Sequence, residues 1–324
     1  MLCDVCSARE AVVYQRHSGR ALCFKCFRED LLRRVSAEVR YYRLFTPNDR
    51  ILIAVSGGKD SFVLLDLIKD IHRSELIGIA IIDEGIEGYD RLSQAKWAID
   101  MAEKFGMEVY ITSFKDSIGF TLTELIEMAE KRGIRITPCT LCGIIKRRIL
   151  NRLARHEHFD RVITAHNLND EVQTIVMDIL RLDLARLVQL HPLSPLLSSN
   201  FVRRVKPLRR IFEYEVTQYA FLSGFKFQEE DCPYIKALPS LRARIRSRMF
   251  EMEGIKPSYP LNIIEWHDRV VKKILSRWDL KMPELPLCPL CGEPMSYGRK
   301  YCALCELLMK LGVSAPQAGH KAKV

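Results

Sequence analysis

No apolar run in this 324-residue chain approaches the roughly 20 residues that a membrane-spanning helix needs. Its N-terminus opens on a cysteine-rich segment where a signal peptide would carry an apolar stretch. With these absences nothing suggests a membrane protein, and we expect a cytoplasmic one. The nucleotide-kinase phosphate pattern, GxxxxGK followed by Ser or Thr, is also missing, so any phosphate site must be built differently. Acidic residues are outnumbered, 40 Asp and Glu against 50 Lys and Arg, for a net charge of +10. Residues 201–250 alone carry 11 Lys and Arg against 5 Asp and Glu, a local excess that suggests a polyanionic partner.

Eleven cysteines are present. Thiols stay reduced in a cytoplasmic protein, so their number points to metal binding and not to a disulfide framework. Cys3-x2-Cys6 is followed after sixteen residues by Cys23-x2-Cys26, and Cys288-x2-Cys291 after ten residues by Cys302-x2-Cys305. Each pair of CxxC knuckles can wrap a tetrahedral zinc, and a closed four-thiolate site is structural or a docking surface. The expected layout is a zinc knuckle over 1–30, a linker helix over 31–49, a catalytic α/β domain over 50–275, a second zinc knuckle over 276–312 and a disordered basic tail over 313–324.

Residues 51–61, ILIAVSGGKDS, read as a short buried strand, a tight Ser-Gly-Gly turn, and Lys-Asp-Ser opening a helix. Glycines let backbone approach a ligand closely, their N–H groups join the positive end of the helix, and Lys59 adds a full charge. Downstream, helices over 62–71, 90–105, 121–132 and 169–187 alternate with strands over 76–82, 108–112 and 160–164. This alternation predicts a doubly wound parallel sheet with ligands at the carboxyl ends of its strands, where the 56–61 loop, Asp83 and residues 164–170 fall. Asp170 suits a helix start through the dipole alone, or holds magnesium beside a pyrophosphate. His166 is read as structural or catalytic.

Cys139 and Cys142 form a CxxC with no second knuckle, and Cys232 is the one cysteine left to join them. Three thiolates without a fourth imply a cluster or metal with an open coordination position. The competing reading is a redox pair at 139 and 142 with Cys232 an ordinary buried thiol. A further helix is expected from Pro239, with Leu241, Ile245, Met249 and Met252 on one stripe. Arg242, Arg244, Arg246 and Arg248 flank that stripe and are read, with Arg203, Arg204, Lys206, Arg209 and Arg210, as a grip on RNA phosphates.

SGGKDS at 56–61 resembles the PP-loop of the N-type ATP pyrophosphatases, which cleave ATP to AMP and pyrophosphate. With DEGIEGY at 83–89, PCTLCG at 138–143, HNLNDEVQT at 166–174, the lone Cys232 and both terminal knuckles, nearly the whole chain resembles the tRNA 2-thiouridine synthetases of the TtuA-like and cytoplasmic wobble-thiolation group. The resemblance implies ATP-dependent adenylation of the C2 oxygen of a tRNA uridine, followed by sulfur transfer. It implies a nucleotide site at Ala54, Ser56, Gly57, Gly58, Lys59, Asp60, Ser61, Asp83, Lys146, Ala165 and Asp170. Lys59 would neutralise the leaving pyrophosphate, Lys146 would do the same for the α-phosphate, and Asp60 and Asp170 would hold Mg2+. A 4Fe–4S cluster on Cys139, Cys142 and Cys232, two zinc ions, a ubiquitin-like thiocarboxylated sulfur donor and a homodimer are further implications. The alternatives are the same reaction by a persulfide and disulfide on Cys139 and Cys142, or a non-catalytic tRNA-binding scaffold subunit. Ala165 and Asn169 stand where the family usually has Gly and Asp, which implies a narrower approach to the nucleotide and one carboxylate fewer.

Overall fold

A computed structural model describes residues 1–227, 232–236, 241–277 and 284–313. The expected disordered tail therefore lies, apart from Val313, outside the described residues, as do Pro239 and Pro283. A hairpin, β1 (Val13–Gln15) and β2 (Arg20–Leu22), leads into α1 (Phe24–Tyr42), which starts within the second N-terminal knuckle, so the expected linker is one helix continuous with the metal module. The α/β domain then runs β3 (Ile51–Val55), α2 (Lys59–Ile68), β4 (Ile77–Asp83), α3 (Arg91–Phe105), β5 (Glu108–Ser113), α4 (Phe114–Ile118), α5 (Leu122–Lys131), α6 (Pro138–His156), β6 (Arg161–Ile163), α7 (Leu168–Leu180), α8 (Leu184–Leu190) and β7 (Arg203–Val205). Helices α9 (Glu213–Leu222), α10 (Pro233–Lys236), α11 (Leu241–Ile255) and α12 (Tyr259–Arg277) follow, and α13 (Ala303–Lys310) closes the second knuckle.

The five-stranded sheet has the order β5-β4-β3-β6-β7, and every pairing in it is parallel. From the central β3 the chain winds outward through β4 and β5, then crosses back to add β6 and β7 on the other side. The reversal leaves a crevice at the carboxyl ends of β3 and β6.

Side-chain alternation along the strands decides which elements cover which face. Ile51, Ile53, Val55, Ile77, Ile79 and Ile81 point to one side, into a core shared with α1, α2, α3, α9 and the N-terminal cysteines. Leu52, Ala80, Ile82, Tyr110 and Val162 point to the other, into a core shared with α4, α5, α6, α13 and the C-terminal cysteines. The knuckles are thus integral to the two cores, one on each face of the sheet. A third cluster, with Leu168, Val172, Leu187, Phe212 and Ile264, joins α7, α8 and α12.

Several elements differ from the sequence-based expectation, α6 and α12, neither expected as a helix, among them. The single helix expected over 169–187 is two, because Leu182 adopts a left-handed φ of 54°. Residues 203–205, read as part of a basic surface, form the fifth strand, which two arginines in three residues had disguised. Arg209 is almost fully buried: it donates to Glu38 at 2.8 Å and to Asp268 at 2.6 Å, while Arg210 reaches Asp268 at 2.8 Å. These two arginines fasten α1 to α12 and are not available to a nucleic acid. Of the expected stripe on α11, Met249 is buried and Ile245 half-buried, but Leu241 and Met252 are exposed.

Candidate active site

The loop after β3 is shaped by one strained glycine. Gly57 has φ 75°, and a Cβ there would lie 2.8 Å from the Cβ of Gln94 on α3. Its freedom is therefore spent on packing against the protein itself. Gly57→Ala is expected to lose about 2–3 kcal/mol, from the left-handed backbone and the clash together, as a fall in Tm that accompanies loss of nucleotide binding. Gly58 is the N-cap of α2, and no side chain caps that helix, whereas Asp90 caps α3 and Asn167 caps α7. No side chain occupies the N–H groups at the very start of α2, which leaves them to an anion. Ser61 is consumed inside the loop, its hydroxyl donating to Gly58 O at 2.8 Å.

Around this loop, charged groups from three strand ends converge. Lys59 Nζ lies 3.0 Å from Asp60 and 3.7 Å from Glu213; burial opposes its charge, but these two carboxylates outweigh it and hold its pKa above the ordinary lysine value. Asn167 Nδ2 donates to Asp60 Oδ1 at 2.8 Å, tying the loops after β3 and β6 together. Asp170 sits at the third position of α7. Removal from bulk water and the nearby Asp60 push its carboxyl up to about 6, although its side chain keeps 36% of its exposure.

The end of β4 contributes a residue that the sequence reading passed over. Asp83 accepts the Gly85 N–H at 3.0 Å and stabilises the turn, whereas its neighbour Glu84, 2% exposed, enters the site. Glu84 takes a fork from Arg91, at 3.0 and 2.8 Å, and pairs with Lys146. Burial works against its charge, yet Lys146 and Arg91 hold its pKa below the usual carboxylate range. Arg91 also donates to the Ser56 carbonyl. A buried acid just after an aliphatic strand and before a glycine was the available signal. Asn167 and Glu213 were likewise legible only as helix-start residues.

The cysteines meet this ensemble in one cavity of about 680 Å³. Its lining includes Ser56, Gly58, Lys59, Asp60, Glu84, Arg91 and Lys146 together with Cys139, Cys142 and Cys232. Thr137 caps α6 and Pro138 occupies its first turn, so Cys139 and Cys142, three residues apart, stand on one face at the positive end of that helix. Cys232 arrives from the start of α10, whose Tyr234 hydroxyl donates to Thr123 at 3.2 Å. All three thiols are free. Burial pushes Cys142 up to about 11 and raises Cys139, and each thiol is also disfavoured as an anion by Cys232. Ala54 and Ala165 pack against the two cores and, like Gly57, Ser61, Asp83 and Asp170, are not part of the cavity lining.

The expected lost carboxylate at 169 has a different explanation. Asn169 is buried, donates to Glu253 and accepts the Glu213 N–H at 3.0 Å, so it clamps α7 to α11 and α9 and does not face the nucleotide cavity. An aspartate there would oppose Glu253. His166 sits with Nδ1 2.9 Å from the Thr164 hydroxyl; desolvation, then Lys206, lower its pKa to about 4 and keep the ring neutral.

Among the described residues, only the two terminal cysteine sets bring three or more ligand atoms within 4.8 Å of one another, so both could hold a metal ion. Cys6 and Cys23 sulfurs are 3.9 Å apart, and Cys291 and Cys302 sulfurs 3.6 Å. About 3.8 Å is the separation that tetrahedral Zn–S bonds of roughly 2.3 Å require. The C-terminal sulfurs also receive N–H donors from Arg148 on α6, at 3.3 Å to Cys291, and from Cys302 N, at 3.3 Å to Cys288. Cys139, Cys142 and Cys232 are not such a set: their sulfurs do not all lie within 4.8 Å of one another.

A parallel sheet with an uncapped glycine loop at its switch point and free thiols facing that loop defines a nucleotide-dependent enzyme of the PP-loop class. The PP-loop domain family matches residues 32–253, and the N-terminal LIM domain of the 2-thiouridine synthetase TtuA matches residues 2–28. The chain belongs to the PP-loop family of tRNA 2-thiouridine synthetases. It is 32% identical to a probable sulfurtransferase of Methanocaldococcus jannaschii, over 96% of this chain and 88% of that one. It is 32% identical to the tRNA-5-methyluridine(54) 2-sulfurtransferase of Pyrococcus horikoshii, over 94% and 93%, and 30% identical to the cytoplasmic tRNA 2-thiolation protein 1 of Arabidopsis thaliana, over 98% and 87%. The solved structure of the U34-tRNA thiolase NcsA from Methanococcus maripaludis with its 4Fe–4S cluster matches with a TM-score of 0.79 at 28% identity, covering 98% of this chain and 99% of that one.

Proposed function

We propose that this enzyme thiolates C2 of a tRNA uridine at the expense of ATP. The C2 oxygen is a poor leaving group. It attacks the α-phosphorus of ATP, pyrophosphate departs, and sulfide-level sulfur then adds at C2 as AMP leaves with the oxygen. The observation that carries this reading is the convergence of a phosphate loop and three free thiols on one cavity of about 680 Å³.

In this reading the open N–H groups of α2 and Lys59 hold the departing pyrophosphate, where preorganised donors act on charge as it develops. Lys146, oriented by Glu84, neutralises the α-phosphate. Asp170, whose ionisation is opposed by burial and by the nearby Asp60, would share Mg2+ with Asp60, and the ion would relieve that repulsion. Cys139, Cys142 and Cys232 would hold a 4Fe–4S cluster. Bound by three thiolates, such a cluster supplies an iron open to the incoming sulfur. The terminal knuckles would each hold zinc as rigid walls behind the two cores.

The sulfur source is a ubiquitin-like carrier ending in a thiocarboxylate, the enzyme works in the cytoplasm, and a homodimer is the assembly that the family resemblance favours. No described helix is long and apolar enough to cross a membrane. The test is anaerobic incubation of an unmodified tRNA transcript with the enzyme, ATP and sulfide, followed by nucleoside mass spectrometry mapped to position. A 2-thiouridine that appears only with ATP, with one pyrophosphate released per thiolation, is the expected result. Its absence from protein loaded with iron and sulfide refutes the proposal.

A further inference from the structure

A second cavity, of about 790 Å³, opens between α6, α7, α8, β7 and the C-terminal knuckle. Nine of its lining residues are Arg or Lys and three are Asp or Glu. Most of these cations have internal partners. Lys206 pairs with Glu171 at 2.6 Å, Arg203 donates to the carbonyls of Pro192 and Ser194, and Arg148 is turned to Cys291. Among the described residues, the side chains of Arg147 and Arg204 have no hydrogen-bond or ion-pair partner. Arg148, 9% exposed, leaves its Nη2 buried without a partner. Guanidinium groups held in a cleft with no carboxylate paired to them are costly to fold, and that cost persists where an anion completes the site.

The position of this cavity indicates which anion. Lys146 faces the nucleotide cavity and the next residue, Arg147, faces this one. The Arg147 guanidinium lies against Gly143, where an added Cβ would be 3.2 Å from Nη1, and Gly143 lines the thiol cavity. Arg147 therefore stands on the wall between the two. On the far side Arg242 lines the basic cavity, lies 3.9 Å from Asp170 and donates to Thr174 at 2.9 Å. From there Arg246, one turn along α11, is exposed and paired with Glu213, while Arg244 and Arg248 stand on the other side of that helix, Arg248 paired with Glu251. A lone carboxylate at a peptide end would need one such guanidinium. Two guanidinium groups without acids of their own, beside the reacting centre and with Arg242 beyond them, match successive phosphates of a strand.

We infer that Arg147 and Arg204 form a phosphodiester clamp for the RNA strand whose base enters the neighbouring thiol cavity. The inference rests on the tRNA-thiolation reading and adds to it a specific site. Each guanidinium fork can take one phosphate bidentately. The clamp fixes the strand at the wall between the cavities and thereby limits which nucleotide reaches the cysteines.

The experiment is equilibrium binding of an unmodified tRNA transcript by the full-length protein across a salt series. The wild type binds with log K falling linearly against log salt. Arg147→Ala/Arg204→Ala, at unchanged Tm, binds at least about tenfold more weakly, with a slope shallower by roughly 1.5, about 0.7–0.9 for each phosphate no longer neutralised. Arg147→Lys/Arg204→Lys keeps the charges, restores the slope and recovers part of the affinity, which separates a phosphate role from a folding defect. A double alanine variant with wild-type slope and affinity overturns the clamp. So does one that binds tRNA normally but no longer binds a ubiquitin-like carrier, which would reassign the cavity to a protein tail. A wild-type protein that does not bind tRNA at all would instead refute the underlying functional reading.

Discussion

Cys232→Ala is expected to yield a folded protein that retains metal in both terminal knuckles, takes up no iron–sulfur cluster on anaerobic reconstitution, and forms no detectable 2-thiouridine. The reasoning is structural. Cys139 and Cys142 come from one helix start and Cys232 from another segment, so removing it leaves the cavity with only the two thiols of α6. The terminal sets lie within the two cores on opposite faces of the sheet and share no residue with the trio. Iron, sulfide and zinc content measured on one preparation, with nucleoside analysis alongside, reads all of this at once. Thiolation at the wild-type rate by the variant would eliminate the cluster. If activity then required Cys139 and Cys142 and left them oxidised to a disulfide, the persulfide route would replace it.

Lys59→Ala is expected to lower tRNA-dependent pyrophosphate release by about 10²–10³-fold while leaving cluster content intact, in line with removal of one preorganised group that meets developing charge. Lys59 lies within 3.7 Å of both Asp60 and Glu213, so its removal also leaves two carboxylates facing the polyphosphate unscreened. Lys59→Arg is expected to recover little, because the fork of a guanidinium does not fit the space of a compact ammonium. Pyrophosphate release assayed with and without tRNA, at saturating ATP, measures the effect on the chemical step. Unchanged release from Lys59→Ala would mean that the glycine loop is not the pyrophosphate site.

Much of this was legible in the chain because the signals are local. Strand, glycine turn, Lys and helix are contiguous in 51–61, and the CxxC pairs announce tetrahedral sites by spacing alone. Four of the five parallel strands follow from aliphatic runs bounded by polar turns. Strand β7 was hidden because it is a three-residue edge strand with two arginines, and hydrophobicity is a weak guide at an edge. Arg209 and Arg210 read as surface charge because a burial partner such as Asp268, nearly sixty residues away, leaves no trace in their own neighbourhood. Glu84 was missed for the same reason: its importance comes from Lys146 and Arg91, which reach it from two other elements.

Local sequence was enough to specify the class of chemistry: a phosphate loop, two four-thiolate knuckles, three cysteines outside them and a basic stretch. Spacing along the chain defines these features without reference to the rest of the molecule. It took the assembled fold to close the two cores with the knuckles on opposite faces of the sheet and to bring Cys139, Cys142 and Cys232 into one cavity with Lys59. The fold also separated the arginines that bind acids internally from Arg147 and Arg204, which pair with no acid among the described residues. Pairing and burial belong to groups brought together from distant parts of the chain, where a charge is silenced or left free by what packs against it.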